Sequence, residues 1–141
     1  MKIVINTCFG GFGLSHKAVM RYAEIKGISL YPWIDAITRK IYGAEAVVGS
    51  NKLLTCYSTV PLDGLPLNKE GEPVLPRDAY WSYRDIPRDD PSLIQVVKEL
   101  GAEANGEYAE LSVVEIPDDV AWDIDEYDGN EHVAEQHQTW R

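Results

Sequence analysis

The chain has 141 residues, 45% of them hydrophobic, and a formal net charge of −10 at pH 7. This length and composition predict one globular domain with a single core and exclude a disordered chain. No charged and apolar leader and no run of about 18 apolar residues is present, so we expect neither export nor a membrane span. The two cysteines, Cys8 and Cys56, predict reduced thiols in a cytoplasm rather than a disulfide framework.

The charge is unevenly distributed along the chain. Residues 1–98 carry a net charge of +2, whereas residues 99–141 hold 13 acids and one base and carry −12. Such an acidic segment repels a phosphate backbone, so we expect no direct nucleic acid binding. It is suited to attract a basic partner or to mimic a phosphate backbone. The alternative is a solvated sheet face that keeps the protein soluble.

The N-terminal pattern predicts a strand, a glycine loop and a helix. The apolar run at residues 3–5 precedes the sequence NTCFGGFGLS, which we call the glycine loop (residues 6–15). Ser15 suits the N-cap of a helix that begins at His16, because its hydroxyl can accept from an amide of the first turn. Gly27 is a suitable left-handed stop after this helix.

The middle of the chain predicts strands and one long loop. Residues 28–31 are typical of a strand that Pro32 ends. Two further strands are predicted at residues 46–48 and 52–60. Residues 61–79 are rich in proline and glycine and predict a surface loop, which at this length is functional or mobile.

The C-terminal half predicts a second helix followed by strands. Asp90 is a good N-cap, and Pro91 suits the first helical position. Apolar residues follow at helical spacing until Gly101, which ends the helix. Asp128-Gly129 predicts a hairpin turn. The predicted strands of this half lie at residues 79–83, 108–116, 120–127 and 130–135.

Two full helices among about seven strands predict an α+β fold. The simplest arrangement is a single mixed or mostly antiparallel sheet with the two main helices on one face. We therefore expect a single domain over residues 1–141, with the proline- and glycine-rich loop at 61–79 on its surface.

The glycine loop is the first candidate binding site, because loop amides and the positive end of a helix dipole attract an anion. It matches neither the Walker motif nor the dinucleotide fingerprint. The alternative is a tight turn with Phe9 and Phe12 packed into the core. The candidate ligand-binding residues of this loop are Cys8, Gly10, Gly11, Gly13 and Ser15.

An aromatic pair followed by two arginines is the second candidate. Tyr80 or Trp81 would stack a base, while Arg84 and Arg88 would clamp a phosphate. The alternative is a pair of core aromatics with arginines that form ion pairs with nearby carboxylates.

Two weaker candidates concern reactive and metal-binding side chains. Cys8 near a helix N-terminus, with His16 as its base, would be a nucleophile, but the pattern favours a buried structural cysteine. His132 and His137 are five residues apart, which is not the spacing of ligands on one helix face. We therefore predict no catalytic residue, no metal and no cofactor.

Two segments resemble a family of small uncharacterised phage and prophage proteins. One is the glycine loop, and the other is IPDDV-x-W-x-I-x-x-YDG-x-E-x-V at residues 116–133, continuing to the Thr-Trp pair at 139–140. Residues 89–91 and the helix behind them are similar too. The resemblance implies a phage accessory protein that acts in a bacterial host cytoplasm, and it assigns no catalytic residue.

Three functions are consistent with these features. The leading hypothesis is a non-enzymatic phage accessory protein that sequesters a small anionic, nucleotide-type ligand to counter host defence. The alternative is an acidic inhibitor that binds a basic host protein through residues 107–135. The third is a small enzyme that uses Cys8. A homo-oligomer is compatible with each of them.

Overall fold

The computed structural model describes residues 1–35, 41–42, 55–71 and 73–136. The chain divides into two compact units, the first formed by residues 1–26 and 83–141 and the second by residues 27–82. The two units are described separately below. The strand predicted at residues 46–48 and the start of the one predicted at 52–60 lie outside the described residues. The single domain stays a prediction.

The first unit combines two helices with two pairs of strands. The elements are β1 (Lys2–Asn6), α1 (His16–Lys26), α2 (Pro91–Leu100), β6 (Leu111–Glu115), β7 (Trp122–Tyr127) and β8 (Asn130–Glu135). Strand β1 pairs antiparallel with β6, helix α2 packs on both of these strands, and helix α1 packs against α2. The buried core includes apolar residues of β1 and of both helices.

Both helices begin where their capping residues predict. The Ser15 hydroxyl accepts from the Ala18 amide at 3.1 Å, and the Asp90 carboxylate accepts from the Ser92 amide at 2.8 Å. Each bond satisfies an amide that the first turn leaves without a helical partner. Gly27 and Gly101 follow the two helices with positive φ angles of 72° and 57°, as the sequence predicts.

Strands β7 and β8 form an antiparallel hairpin. Asp128 and Gly129 connect them with φ angles of 49° and 87°, the conformation of a type I′ turn. Opposite residues share a face of such a pair and successive residues alternate. Asp123, Asp125 and Tyr127 therefore lie on one face, and all three are exposed. We call this the outer face of the hairpin.

The second unit contains a small antiparallel sheet of four strands among its described residues. Their order across the sheet is β3 (Ile41–Tyr42), β2 (Tyr31–Asp35), β4 (Thr55–Ser58) and β5 (Tyr80–Trp81). Its apolar cluster contains the buried residues Trp33, Leu75 and Ala79. The described parts of the predicted loop at 61–79 hold an isolated bridge between Leu67 and Pro73 and a 3-10 turn at Arg77–Ala79.

Pro32 does not end its strand, contrary to the sequence prediction. Strand β2 begins at Tyr31 and runs through Pro32, which pairs with Tyr57 of β4. The described residues of β3 pair with the last two residues of β2. Within the described part of the chain, Pro32 therefore has a strand partner on its β4 side only, and a position with one strand partner tolerates proline better than a central one.

The α+β class is confirmed, and the strand pairings of the described residues are antiparallel. The described strands form three sheets, however, where the sequence predicts one. The strand predicted at 108–116 is shortened to Leu111–Glu115, and the aromatic strand at 79–83 to Tyr80–Trp81. None of the described helices is long and apolar enough to cross a membrane.

Candidate functional site

Within the described residues, β1 pairs with β6 alone, and groups from other parts of the chain occupy its second edge. The amide of Val4 donates to the carbonyl of Arg88 at 2.8 Å, and the amide of Asn6 donates to the carboxylate of Glu131 at 2.9 Å. Nη1 of Arg88 donates in turn to the carbonyl of Val4 at 3.2 Å. Groups from residues 88 and 131 thus occupy the edge where a third strand would pair.

Arg88 and Glu131 also form a two-pronged ion pair. The two guanidinium nitrogens donate to the two carboxylate oxygens at 2.7 and 2.9 Å, and the guanidinium carbon lies 3.6 Å from the centre of the Phe12 ring. Burial by itself raises the pKa of Glu131, but the hydrogen bonds from Arg88 and the Asn6 amide outweigh burial and hold that pKa below its usual value. Arg88 is therefore a charged group that the protein itself neutralises.

Asn6 holds three loops together from a fully buried position at the end of β1. Its side-chain amide donates to the carbonyl of Cys8 at 2.8 Å and to that of Gly129 at 2.7 Å. Its side-chain oxygen accepts from the amide of Glu110 at 2.8 Å. The glycine loop, the turn of the hairpin and the segment at residues 105–110 thus share one buried polar group whose hydrogen bonds fix their positions.

Close approach of backbone explains two of the glycines at this junction. A Cβ atom at Gly10 would lie 1.7 Å from the carbonyl oxygen of Tyr108, and one at Gly129 would lie 2.5 Å from the amide nitrogen of Gly11. Gly11 itself has a φ of 103° and open space around it. The glycine loop is therefore packed tightly against both neighbouring loops.

A pocket of about 500 Å³ opens beside this junction. Its charged side chains are two guanidinium groups and two carboxylates, so its formal charge is balanced. Within the described residues, the amides of Gly10, Gly11 and Phe12 donate no hydrogen bond to the protein. The lining residues are Gly10, Gly11, Phe12, Arg84, Arg88, Glu126, Gly129 and Glu131.

The pocket brings together four of the residues that the sequence marks as candidates, Gly10, Gly11, Arg84 and Arg88. The other candidates of the glycine loop do not line it. The Cys8 thiol lies within hydrogen-bond distance of the Asn6 side-chain oxygen and the Tyr108 carbonyl. Gly13 is buried, and the Ser15 hydroxyl caps α1.

Tyr80 and Trp81 belong to the second unit, not to the unit that holds this pocket. Their rings meet other rings of β2 and β4 at centroid distances of 6.0 Å, Tyr80 against Trp33 and Trp81 against Tyr57. The alternative to base stacking was a pair of core aromatics. Both rings contact other rings, but Tyr80 is 54% exposed and Trp81 is only partly buried, so neither is a core residue.

The sequence did not mark Asn6 and Glu131 as parts of this site. Asn6 carries one local signal, a polar residue directly after the apolar run of β1 and before three glycines. Glu131 carries none, because an acid in a strand of an acidic segment is expected to face solvent. Its role depends on the partners that folding brings from residues 4–6 and 88.

The expectation that Phe9 packs into the core is wrong, since its side chain is 65% exposed. Two further large side chains of the first unit are also exposed, Tyr108 at 70% and Tyr127 at 78%. Phe9 and Tyr108 lie on loops that Asn6 joins, and Tyr127 is the last residue of β7, directly before the hairpin turn. Sequence hydropathy assigns a phenylalanine to the core, but the chain turns at Phe9 and Gly10 and leaves the Phe9 side chain in solvent.

Within the described part of the chain, no group of three or more His, Cys, Asp or Glu side chains is arranged to hold a metal ion. His137, one of the two histidines of the candidate metal site, lies outside this part. Nε2 of His132 lies 3.5 Å from the carboxylate of Asp125 on the outer face of the hairpin.

Comparison with known proteins finds no family model, no curated protein and no solved structure that matches this chain. The function is therefore argued from the geometry and charge of the chain itself.

Proposed function

We propose that this protein is a non-enzymatic binding protein that docks a basic partner protein through the acidic surface of residues 107–135. The observation that carries this proposal is the outer face of the β7–β8 hairpin, where Asp123, Asp125 and Tyr127 are all exposed. Carboxylates on a rigid paired strand attract a cationic surface and steer its approach.

The hairpin is well anchored, which suits it to present a docking surface. Its inner face includes Ile124, which is partly buried, and the buried carboxylate of Glu131 bonds to Arg88 and to β1. The inward residues thus hold the hairpin on the first unit. The outward carboxylates are left to solvent and remain available to a partner.

Charge also favours a basic protein over a strongly anionic ligand. Arg88, whose guanidinium lies over the Phe12 ring, already has Glu131 as its counter-ion. A ligand with several negative charges would enter a pocket that Glu126 and Glu131 also line. Like charges at such short range oppose binding.

Capture of a small anionic ligand is the second candidate function. It is supported by the meeting of Gly10, Gly11, Arg84 and Arg88 around one pocket. The balanced charge of that pocket fits a ligand with one anionic group and several hydrogen-bond donors, as in a nucleoside monophosphate. The loop amides and Arg84 would hold the anion, and Glu126 would accept from the donors.

The biological setting is part of the same proposal. The resemblance of residues 6–15 and 116–140 to phage proteins supports a role in a bacterial host cytoplasm. There the basic partner would be a host protein, and occupation of its basic surface would inhibit it.

The first experiment compares two variants with the same change in charge. Asp119→Asn, Asp123→Asn and Asp125→Asn together neutralise the hairpin region. Asp63→Asn, Glu70→Gln and Asp78→Asn together neutralise exposed acids of the second unit. With a partner identified by affinity purification from bacteria, the hairpin variant should associate more slowly and the control variant normally.

The association rate of the wild type should also fall steeply between low and physiological salt, because exposed charges are screened beyond about 8 Å. Equal rates for the two variants would contradict the proposal.

The second candidate is tested by thermal-shift titration with inorganic phosphate and adenosine monophosphate. A ligand that binds only the folded state raises the melting temperature by mass action. Arg84→Ala should abolish that shift, while Arg77→Ala, a change at an exposed arginine of the second unit, should retain it. The absence of any shift in the wild type would remove this candidate.

A further inference from the structure

Three exposed aromatic side chains lie on, or directly beside, loops that hydrogen bonds hold together. Phe9 follows Cys8 in the glycine loop, Tyr108 lies in the segment at 105–110, and Tyr127 begins the hairpin turn. Asn6 bonds to all three of these loops, and Gly10 packs directly against the backbone of Tyr108. We call Phe9, Tyr108 and Tyr127 the aromatic triad.

The three side chains of the triad are largely exposed, whereas most large aromatic side chains are at least partly buried in folded proteins. A single exposed aromatic needs no explanation, but several on adjoining loops mark an interaction surface. Large aromatics on rigid loops are also the residues that contribute most to protein interfaces, because they bury much area and lose little conformational entropy.

The charge around the triad indicates what would cover it. Residues 6–13, 105–110 and 125–130 contain no Lys or Arg, and five of them are acids. These five, all on exposed residues, are Glu107, Glu110, Asp125, Glu126 and Asp128. Arg84 and Arg88 line the neighbouring pocket, where Glu126 and Glu131 balance their charge. Glu107, Glu110, Asp125 and Asp128 therefore leave an excess of negative charge on the loops and strand end that carry the three rings. Such a surface is complementary to a cation that also offers a flat apolar surface, and the arginine guanidinium has both properties.

The same charge argues against three other occupants. A second copy of this chain would bring a net charge of −10 against an acidic rim. Nucleic acid and anionic lipid surfaces are repelled for the same reason.

We propose that the aromatic triad is the centre of a docking surface for an arginine-bearing segment of a partner protein. This inference rests on the proposed function and deepens it, because it names the side chain that the partner presents. Guanidinium groups would stack on the rings of Phe9, Tyr108 and Tyr127, and the surrounding carboxylates would accept their hydrogen bonds.

The test measures binding of an alternating arginine–glycine peptide by titration calorimetry, with a lysine–glycine peptide of the same length beside it. Tyr108→Ala and Tyr127→Ala each remove a ring without changing the net charge. Each should weaken binding of the arginine peptide by about two- to fivefold, and the double variant by about tenfold or more. Tyr108→Phe should bind like the wild type because it keeps the ring.

The matched control is Leu67→Ala, which removes a side chain of the second unit that is 65% exposed, as Phe9 is. Binding of the arginine peptide should not change in this variant, and the lysine peptide should bind the wild type more weakly than the arginine peptide. Circular dichroism and thermal melting of each variant establish that the fold is retained.

The outcomes separate this inference from the proposed function. If the hairpin charge variant loses binding but Tyr108→Ala and Tyr127→Ala bind like the wild type, the triad is not the centre and this inference fails alone. If the hairpin charge variant binds normally, the proposed function fails. A triad-dependent dimer in sedimentation, or triad-dependent binding to phosphatidylglycerol vesicles, would replace the arginine-bearing partner with another occupant and overturn the inference.

Discussion

Gly10, Gly11 and Gly13 look equivalent in the sequence, but each meets a different physical constraint. Gly10 lies where a Cβ atom would overlap the carbonyl of Tyr108, and Gly11 has a φ of 103°. A Cβ at Gly13 would lie at ordinary contact distance from its neighbours, the nearest being the Tyr83 hydroxyl oxygen at 3.6 Å. The backbone at Gly13 also has no positive φ. Within one motif, Gly10 is therefore required for space, Gly11 is required for its backbone conformation, and Gly13 leaves room for a side chain.

The three positions should respond differently to alanine. Gly10→Ala should destabilise the fold by about 1–3 kcal/mol or more, because backbone must move to admit the methyl group. Gly11→Ala should cost about 1–2 kcal/mol through left-handed strain alone. Gly13→Ala should be near neutral. Urea unfolding of the three variants measures this order, and equal losses at Gly10 and Gly13 would contradict the close approach.

The ion pair between Arg88 and Glu131 yields a second prediction at this scale. Arg88→Ala leaves a buried carboxylate without its counter-ion and should cost about 3–5 kcal/mol in unfolding free energy. The double variant Arg88→Met with Glu131→Gln should recover much of that loss, because neither partner then carries an uncompensated charge. A double variant no more stable than Arg88→Ala would show that the pair acts mainly through packing.

At the scale of elements, α2 shows how one face of a helix attaches to a sheet. Leu93, Val96 and Val97 are buried, whereas Leu100 at the end of the same apolar periodicity is only partly buried. The apolar spacing in the sequence places all four residues on one side. The gradient of burial arises because the helix ends at Gly101.

The two leucines should therefore differ in their contribution to stability. Leu93→Ala should cost about 2–5 kcal/mol, since its side chain is fully buried and a cavity would remain. Leu100→Ala should cost clearly less, because its site opens to solvent. Thermal and urea unfolding measure both, and equal losses would mean that the helix end is more deeply packed than this structure shows.

At the scale of the whole molecule, stability should depend on pH at both extremes. On the acid side, burial raises the pKa of Asp90, but hydrogen bonds from Tyr22, the Ser92 amide and Lys26 outweigh it and leave the pKa lowered. The pKa of Glu131 is lowered too. Carboxyls with lowered folded-state pKa values stabilise the fold above the unfolded values of 3.8 and 4.5.

The contribution of these two carboxyls to the free energy of unfolding should therefore be constant near neutral pH and be lost as the pH drops below about 4.5. Urea titrations at a series of pH values measure this limb, and Glu131→Gln should flatten it. A wild-type stability that did not change down to pH 3 would contradict the lowered pKa values.

On the alkaline side, burial and the hydrogen bond to Asp90 raise the pKa of Tyr22 from 10.0 to about 12. The neutral phenol is thus favoured in the folded state. Its contribution is complete below pH 10 and is lost as the pH rises from 10 to about 12. Tyr22→Phe should remove this contribution, so the free energy of unfolding of the variant should fall less between pH 9 and 12. Urea unfolding over this pH range measures the fall, and the absorbance of tyrosinate, recorded in parallel, follows the ionisation.

Residues close together in the sequence determine where the helices begin and end and where the hairpin turns. Ser15 and Asp90 mark the helix starts, Gly27 and Gly101 the ends, and Asp128 with its following glycine the hairpin turn. These features depend on residues a few positions apart, so the sequence predicts them well. The α+β class follows from their number and order.

The number of sheets and the site itself were decided by tertiary structure. Whether β1 gains a third strand depends on Arg88 and Glu131, which lie more than 80 and 120 residues away along the chain. The position of Phe9 depends on where the glycine loop meets Gly129 and Tyr108. Sequence periodicity reports which face of an element is apolar, but not which distant group meets that face. The partners of a polar side chain such as Asn6 are therefore set only when the chain folds.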